Sequence, residues 1–192
     1  MTDGPYDAFE DPYCYKGTDV LKNKLGLRDA SQLEAFEVEM TTLRAREPLP
    51  RGGFDARHYR RVHHHLFQDV YSWAGKDRGI RIAKGGNMFC FPEHIDSELK
   101  KLFATLSGVL QSDAVDAFVV SAAAFLGELN AIHPFREGNG RAQLAFMSMA
   151  SAEAGYPLDF SRVRRASFLP AMIASYDQDY APLETELTLL LT

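Results

Sequence analysis

Apolar residues recur at three- and four-residue intervals through most of the chain, and this spacing limits the fold more than any other feature. One series runs Leu33, Phe36, Met40, Leu43, with Glu37 as its charged member; others run Tyr59, Val62, Leu66, Val70, Trp73 and Ile95, Leu99, Leu102, Leu106, Leu110. A fourth runs Val115, Phe118, Val119, Ala122, Phe125, Leu126, Leu129. Residues three and four apart share a helix face, so each series predicts a helix with one buried side. Residues 139–154 are apolar nearly all round, which predicts a helix at the centre of a bundle. Segments 161–176, with Pro170 inside, and 182–191 complete an all-α reading.

Local signals set the expected boundaries. Ser31 and Glu34 form a capping box that opens a helix over 31–46, which the prolines and glycines of 48–53 then break. Asp55 caps the next helix and Gly75 ends it, while Asp113 starts the fourth. Between 76 and 92 the pattern changes: Ile80 and Ile82 flank Arg81, and Gly85, Gly86 and Asn87 separate them from Met88 and Phe89. Short apolar runs around a glycine turn predict one β-hairpin. Residues 1–28, aromatic and acidic at the start, read as an arm laid over the helices, and the 192 residues suit a single domain.

Composition narrows the function classes. Hydrophobic residues make up 46% and charged residues 24%, and the net charge is −5, which argues against coating nucleic acid or membranes by bulk charge. Residues 44–84 nevertheless hold ten basic against four acidic side chains, a local +6 suited to a phosphate ligand or an acidic partner. Cys14 and Cys90 are too few for a disulfide framework or a zinc site and read as reduced thiols. The N-terminus lacks a basic region followed by an apolar run, and no apolar stretch reaches the ~20 residues that span a bilayer. The expectation is a cytoplasmic protein with no membrane partner.

Chemistry concentrates between the two most apolar helices, at residues 132–141. Gly138, Asn139 and Gly140 lie where a loop becomes a helix, so unpaired backbone N–H groups and the positive end of the helix dipole converge on a site for anions. Arg141 adds a planar fork of donors suited to phosphate. Glu137 would repel a polyphosphate unless Mg²⁺ bridged the two, and His133 has the ordinary imidazole pKa of ~6.5 that suits taking a proton from a hydroxyl. The consecutive His63, His64 and His65 cannot share a helix face and are set aside as a metal site. Arg162, Arg164 and Arg165 read as a solvated helix start, and Met147 and Met149 as core.

The nine residues His-Pro-Phe-Arg-Glu-Gly-Asn-Gly-Arg at 133–141 resemble, position by position, the signature of the Fic family of nucleotidyl transferases. Residues 11–27 resemble the N-terminal segment of bacterial members, and the hairpin around 84–91 resembles the family's flap. The resemblance implies a Fic-fold helical bundle that transfers AMP from ATP to a Tyr, Thr or Ser hydroxyl of a target protein. In it His133 takes the hydroxyl proton, Glu137 holds Mg²⁺, and Gly138, Asn139 and Gly140 form the anion hole. Arg141 contacts the phosphates. Lys84, Gly85 and Gly86 become candidates for positioning a target strand by edge pairing.

Two features depart from the family pattern. Leu144 stands where many AMP-transferring members have a second arginine, with Arg136 as a candidate substitute in binding nucleotide. A different donor (UTP, GTP or a phosphocholine nucleotide) or AMP removal is therefore a second reading. The chain also lacks the string Ser or Thr, three residues, Glu, then Gly or Asn that marks the family's inhibitory helix. That implies a toxin restrained by a separate small antitoxin; by analogy the target would be the ATPase subunit of a type II topoisomerase. A third reading is a binding module whose +6 segment engages nucleic acid or an acidic protein.

Overall fold

The computed structural model describes residues 11–84 and 86–192. Among these, helix α1 spans Ala30–Arg46, α2 Ala56–Phe67, α3 Ile95–Leu110, α4 Val115–Ile132, α5 Asn139–Glu153, α6 Arg165–Ala174 and α7 Ala181–Leu190. Strands β1 (Ala83–Lys84) and β2 (Asn87–Met88) form one antiparallel hairpin. The all-α expectation with a single hairpin therefore holds.

Each amphipathic series turns its apolar side to one core. Tyr59, Val62, Ile95, Leu99, Phe118, Leu126, Phe146, Met147, Leu183 and Leu187 have at most 0% exposure and belong to a single buried cluster. Helix α4, 18 residues long, has the length and apolar composition to cross a bilayer, but half of it is buried against its neighbours in the bundle. It packs on α3, α5 and α7. A ring cluster fills the centre, where Phe146 meets Tyr59, Phe103 and His58 edge-on at centroid distances of 5.6, 5.4 and 5.5 Å. Edge-to-face geometry suits the aromatic quadrupole.

Several expected boundaries shift, each for a local reason. The N-cap of α1 is Asp29, whose carboxylate accepts from Gln32 N at 2.9 Å, so Ser31 falls inside the first turn and the Ser31–Glu34 box does not form the cap. Asp55 caps α2 as expected, accepting from His58 N at 2.7 Å. The helix stops at Phe67 rather than at Gly75: Val70 and Tyr71 both donate to Phe67 O, and a run of turns carries Val70, Tyr71 and Trp73 into the core. Apolar spacing alone does not separate a helix from turns that bury the same side chains. Helix α4 begins at Val115 with Ala114 at the cap position, one residue beyond Asp113, which supplies no cap. Pro170 lies inside α6, and the expected helix over 161–176 resolves into short 3₁₀ turns at 160–162 and 175–177 on either side of α6. The hairpin is shorter than 76–92, with Ala83 opposite Met88 and Lys84 opposite Asn87.

Within the +6 segment, Arg46, Arg51, Arg57, Arg61, Lys76, Arg81 and Lys84 are exposed. Arg44 pairs with Asp69 at 2.6 Å and with Glu47 at 3.0 Å, Arg60 pairs with Asp77 and Asp96, and Arg78 is 2% exposed. Arg162, Arg164 and Arg165 are exposed, and both cysteines are free thiols.

The arm was expected over 1–28; residues 1–10 lie outside the described residues. From residue 11 onward it is tied to the bundle. Cys14 and Leu21 bridge across a turn, Lys24 N donates to Val70 O at 2.8 Å, and Tyr13 packs edge-on against Trp73 at 5.6 Å. Asp11 pairs with Arg136 of the motif loop at 2.7 Å, with both side chains nearly buried. A charged hydrogen bond of this kind contributes on the order of 1.5–3 kcal/mol. Asp11→Ala is therefore expected to lower unfolding free energy by about 2 kcal/mol in urea titration. The same variant should speed amide exchange at Cys14 and Lys22.

Candidate functional site

The motif loop, residues 133–138, joins the end of α4 to the start of α5. Phe135 is fully buried, stacked on His63 at 3.7 Å and packed on Tyr59 at 5.3 Å, which anchors the loop in the core. Asn139 closes the loop on itself: its carbonyl oxygen accepts from Phe135 N at 2.9 Å and its amide donates to Phe135 O at 2.8 Å. The side chain thus holds loop backbone, and the backbone N–H of Asn139, the group expected at the anion site, is left for a ligand. The first N–H groups of α5 belong to Asn139, Gly140 and Arg141 and have no acceptor one turn back within the helix.

Gly138 is required twice over. Its φ is +81°, a region that disfavours side chains, and a Cβ there would run into the Phe67 ring. Gly140 is exposed, with open space where its Cβ would stand. The helix N-terminus is therefore backed by Phe67 and open at Gly140, a shape that admits an anion from one side.

His133 caps α4 in the left-handed conformation, φ 46° and ψ 62°. Its Nδ1 lies 3.2 Å from Asn130 O, and since a carbonyl only accepts, Nδ1 carries the hydrogen and Nε2 the lone pair. Packing that withdraws the ring from water pushes its pKa down to about 3, and Arg78 and Lys84 add to the depression. The ring stacks on Phe89, just after β2, at 3.8 Å. A neutral imidazole with a free Nε2 is the form a proton acceptor needs.

Glu137 is partly exposed, and its Oε1 accepts from Gly138 N at 2.8 Å. Arg141 extends over the Phe67 ring at 4.7 Å, 3.7 Å from Glu137 Oε1 and 2.5 Å from Glu37 Oε1. Tyr71 donates its hydroxyl to the other oxygen of Glu37, and that carboxylate together with burial raises the phenol pKa. Glu37 and Tyr71 thus aim Arg141. Arg136, the candidate substitute for a second motif arginine, is buried, and its guanidinium bonds Asp11. Leu144, at that second position, packs against the core. Lys84 and Gly86 are exposed at the hairpin, with φ +85° at Gly86. Gly85 lies outside the described residues.

Sequence reasoning passed over His63. Its Nε2 donates to Glu137 O at 2.9 Å while its Nδ1 accepts from Gly75 N at 2.9 Å, and the ring lies between Phe67 and Phe135. Burial lowers its pKa to about 3. The neighbouring histidines diverge from it: His64 is exposed and His65 bonds Arg44 O. A histidine on the same face as Tyr59, Val62 and Leu66 was the available signal. Glu37 gave a similar one, a carboxylate within an otherwise apolar helical series.

The depressed pKa values have a sign. An unfolded chain protonates these two imidazoles below ~6.5, while the folded chain holds them neutral to about 3, so folded stability is lost as pH falls through that interval. In an NMR titration both rings are expected to remain neutral at pH 5. His63→Ala, which leaves two backbone groups and a cavity unfilled, should cost about 3 kcal/mol in urea unfolding. Gly138→Ala should destabilise by more than the about 1 kcal/mol usual for a point change.

Comparison with known proteins supplies the family. The model of the Fic/DOC family matches residues 53–150, just over half of the chain. A probable protein adenylyltransferase, y4lH of Sinorhizobium fredii, is 50% identical over 185 residues, covering 95% of this chain and 96% of that protein. The probable protein adenylyltransferase Fic of Escherichia coli is 36% identical over 164 residues, covering 82% and 80% respectively. Among solved structures, the BepC protein of Bartonella tribocorum with bound AMPPNP superposes with a TM-score of 0.83 at 30% identity, covering 94% of this chain and 96% of that one. The motif at 133–141, the helical bundle with its hairpin and these likenesses agree: the chain belongs to the Fic/DOC family.

Proposed function

We infer that the protein is a protein adenylyltransferase, which transfers AMP from ATP to a hydroxyl side chain of a target protein. The observation that carries this is His133 at the head of the motif loop, a neutral imidazole whose Nδ1 is fixed by Asn130 O and whose Nε2 is left as a base. The likenesses to named adenylyltransferases and to a structure holding AMPPNP support ATP as the donor.

In this reading the target oxygen attacks the α-phosphorus while Nε2 of His133 takes its proton. The bond from the α-phosphorus to the bridging oxygen breaks, and pyrophosphate leaves. The N–H groups at the start of α5 and the positive helix end stabilise charge on the phosphate oxygens. Arg141, aimed by Glu37, adds a fixed cation beside them. The donor set suits Mg²⁺ bound partly by substrate: Glu137 is a partly exposed carboxylate next to the anion site, and the described residues hold no cluster of three ligating side chains. Mg²⁺ typically takes one or two carboxylates plus phosphates and water. Glu137 would hold the ion, which would neutralise phosphate charge.

Regulation by a separate small antitoxin, a cytoplasmic location and a hydroxyl-bearing target presented along the hairpin edge extend the same reading. The absence of the inhibitory string from residues 1–192 supports a partner-supplied helix. Leu144, partly buried against the core, supports a γ-phosphate contact different from that of members with a second arginine, and a donor other than ATP is the competing outcome.

Label transfer from α-labelled ATP into bacterial lysate protein tests the assignment. His133→Ala should reduce transfer by at least about 10²-fold while leaving the melting temperature within a few degrees. Retained transfer would remove His133 from its role. Glu137→Ala and chelation of Mg²⁺ should each suppress labelling. Intact-mass analysis with ATP, GTP and UTP identifies the donor by the mass added.

A further inference from the structure

Arg78 is 2% exposed, and among the described residues no carboxylate lies within ion-pair distance of it. A buried guanidinium is costly unless its donors are bonded. Its donors go entirely to backbone carbonyls: Nε to His133 O at 2.9 Å, Nη1 to Ile80 O at 2.5 Å, and Nη2 to Cys90 O at 2.5 Å and Ile132 O at 3.3 Å. Its own backbone N donates to Pro134 O at 2.8 Å.

Ile80 and Cys90 bracket the β1–β2 hairpin, whereas Ile132, His133 and Pro134 are the junction of α4 with the motif loop. One side chain therefore spans both bases of the hairpin and the backbone that carries the imidazole. Two further contacts lie along the same seam: Cys90 N donates to Ala131 O at 3.1 Å, and the Phe89 ring covers His133.

We infer that Arg78 is a positioning residue that fixes the hairpin to the backbone of His133, so that the strand edge and the base move as one body. The inference rests on the reading of His133 as the base. A target segment paired along the hairpin would then hold its hydroxyl at a constant offset from Nε2. Lysine cannot replace the fork, because one ammonium cannot reach four carbonyls arranged around a planar group.

Arg78→Lys and Arg78→Gln test this in the full chain, the lysine variant keeping charge and length should the glutamine variant fold poorly. Hydrogen exchange at Phe89 N and Cys90 N should accelerate by at least about tenfold in both, with α2 and α5 amides unchanged. In lysate labelling with α-labelled ATP, maximal rate should fall by at least about tenfold with the apparent KM for ATP within about twofold. Unchanged exchange at the hairpin base, an unchanged maximal rate, or a loss shared by α2, α5 and ATP affinity would overturn it. Wild-type protein that transfers no AMP would instead overturn the functional reading, and the exchange measurement would still decide whether Arg78 joins hairpin and loop.

Discussion

A non-helical loop in the middle of a bundle carries polar backbone groups into apolar surroundings, and each must find a partner or cost on the order of 1–3 kcal/mol. Residues 132–138 meet this condition with side chains drawn from outside the loop. Arg78 takes the carbonyls of Ile132 and His133, its backbone takes Pro134, Asn139 takes both groups of Phe135, and His63 takes Glu137. Five of the six peptide groups between Ile132 and Gly138 are thereby held by three residues. The same bonded backbone holds His133 in its left-handed cap and Gly138 at its positive φ.

The same accounting explains why the chemistry-bearing groups divide into two kinds. His133, Glu137 and Arg141 are partly exposed. Asn139, Arg136, His63 and Arg78 are buried and bonded to backbone or to Asp11. They shape the loop from behind. Glu37 and Tyr71 do for Arg141 what Asn130 does for His133, fixing the orientation of a group that would otherwise rotate freely. An oriented donor needs little reorganisation when charge develops, which is where preorganised sites gain most.

The helices were legible because burial of one face imposes a period, and four stripes of apolar residues at that period, with a fifth segment apolar all round, leave few architectures besides a bundle. Their ends were less legible. Asp29 and Ser31 are both acceptable N-caps, and the choice falls to the one whose oxygen reaches an N–H in the folded chain. Val70 and Trp73 continue the period of α2, yet reach the core from turns. Period reports burial and not the backbone that delivers it. The +6 of residues 44–84 counts charges without placing them: Arg44 and Arg60 pair with carboxylates 25 and 17 positions away and Arg78 is buried on a carbonyl 55 positions away, while Arg46, Arg51, Arg57, Arg61, Lys76, Arg81 and Lys84 stay exposed.

By itself the sequence determined the all-α class, the one hairpin and the string 133–141, because helical period and the chemistry of nine contiguous residues are local properties. It also carried the anion site, since glycine at a loop-to-helix junction points backbone donors one way whatever surrounds it. The tertiary structure alone decided which side chains serve that loop. That Arg136 pairs with Asp11, that His63 holds Glu137 O and that Arg78 grips His133 O depend on residues remote in the chain. Those pairings are set when separate helices pack and exclude water, because only then does an unpaired polar group become expensive enough to fix its partner.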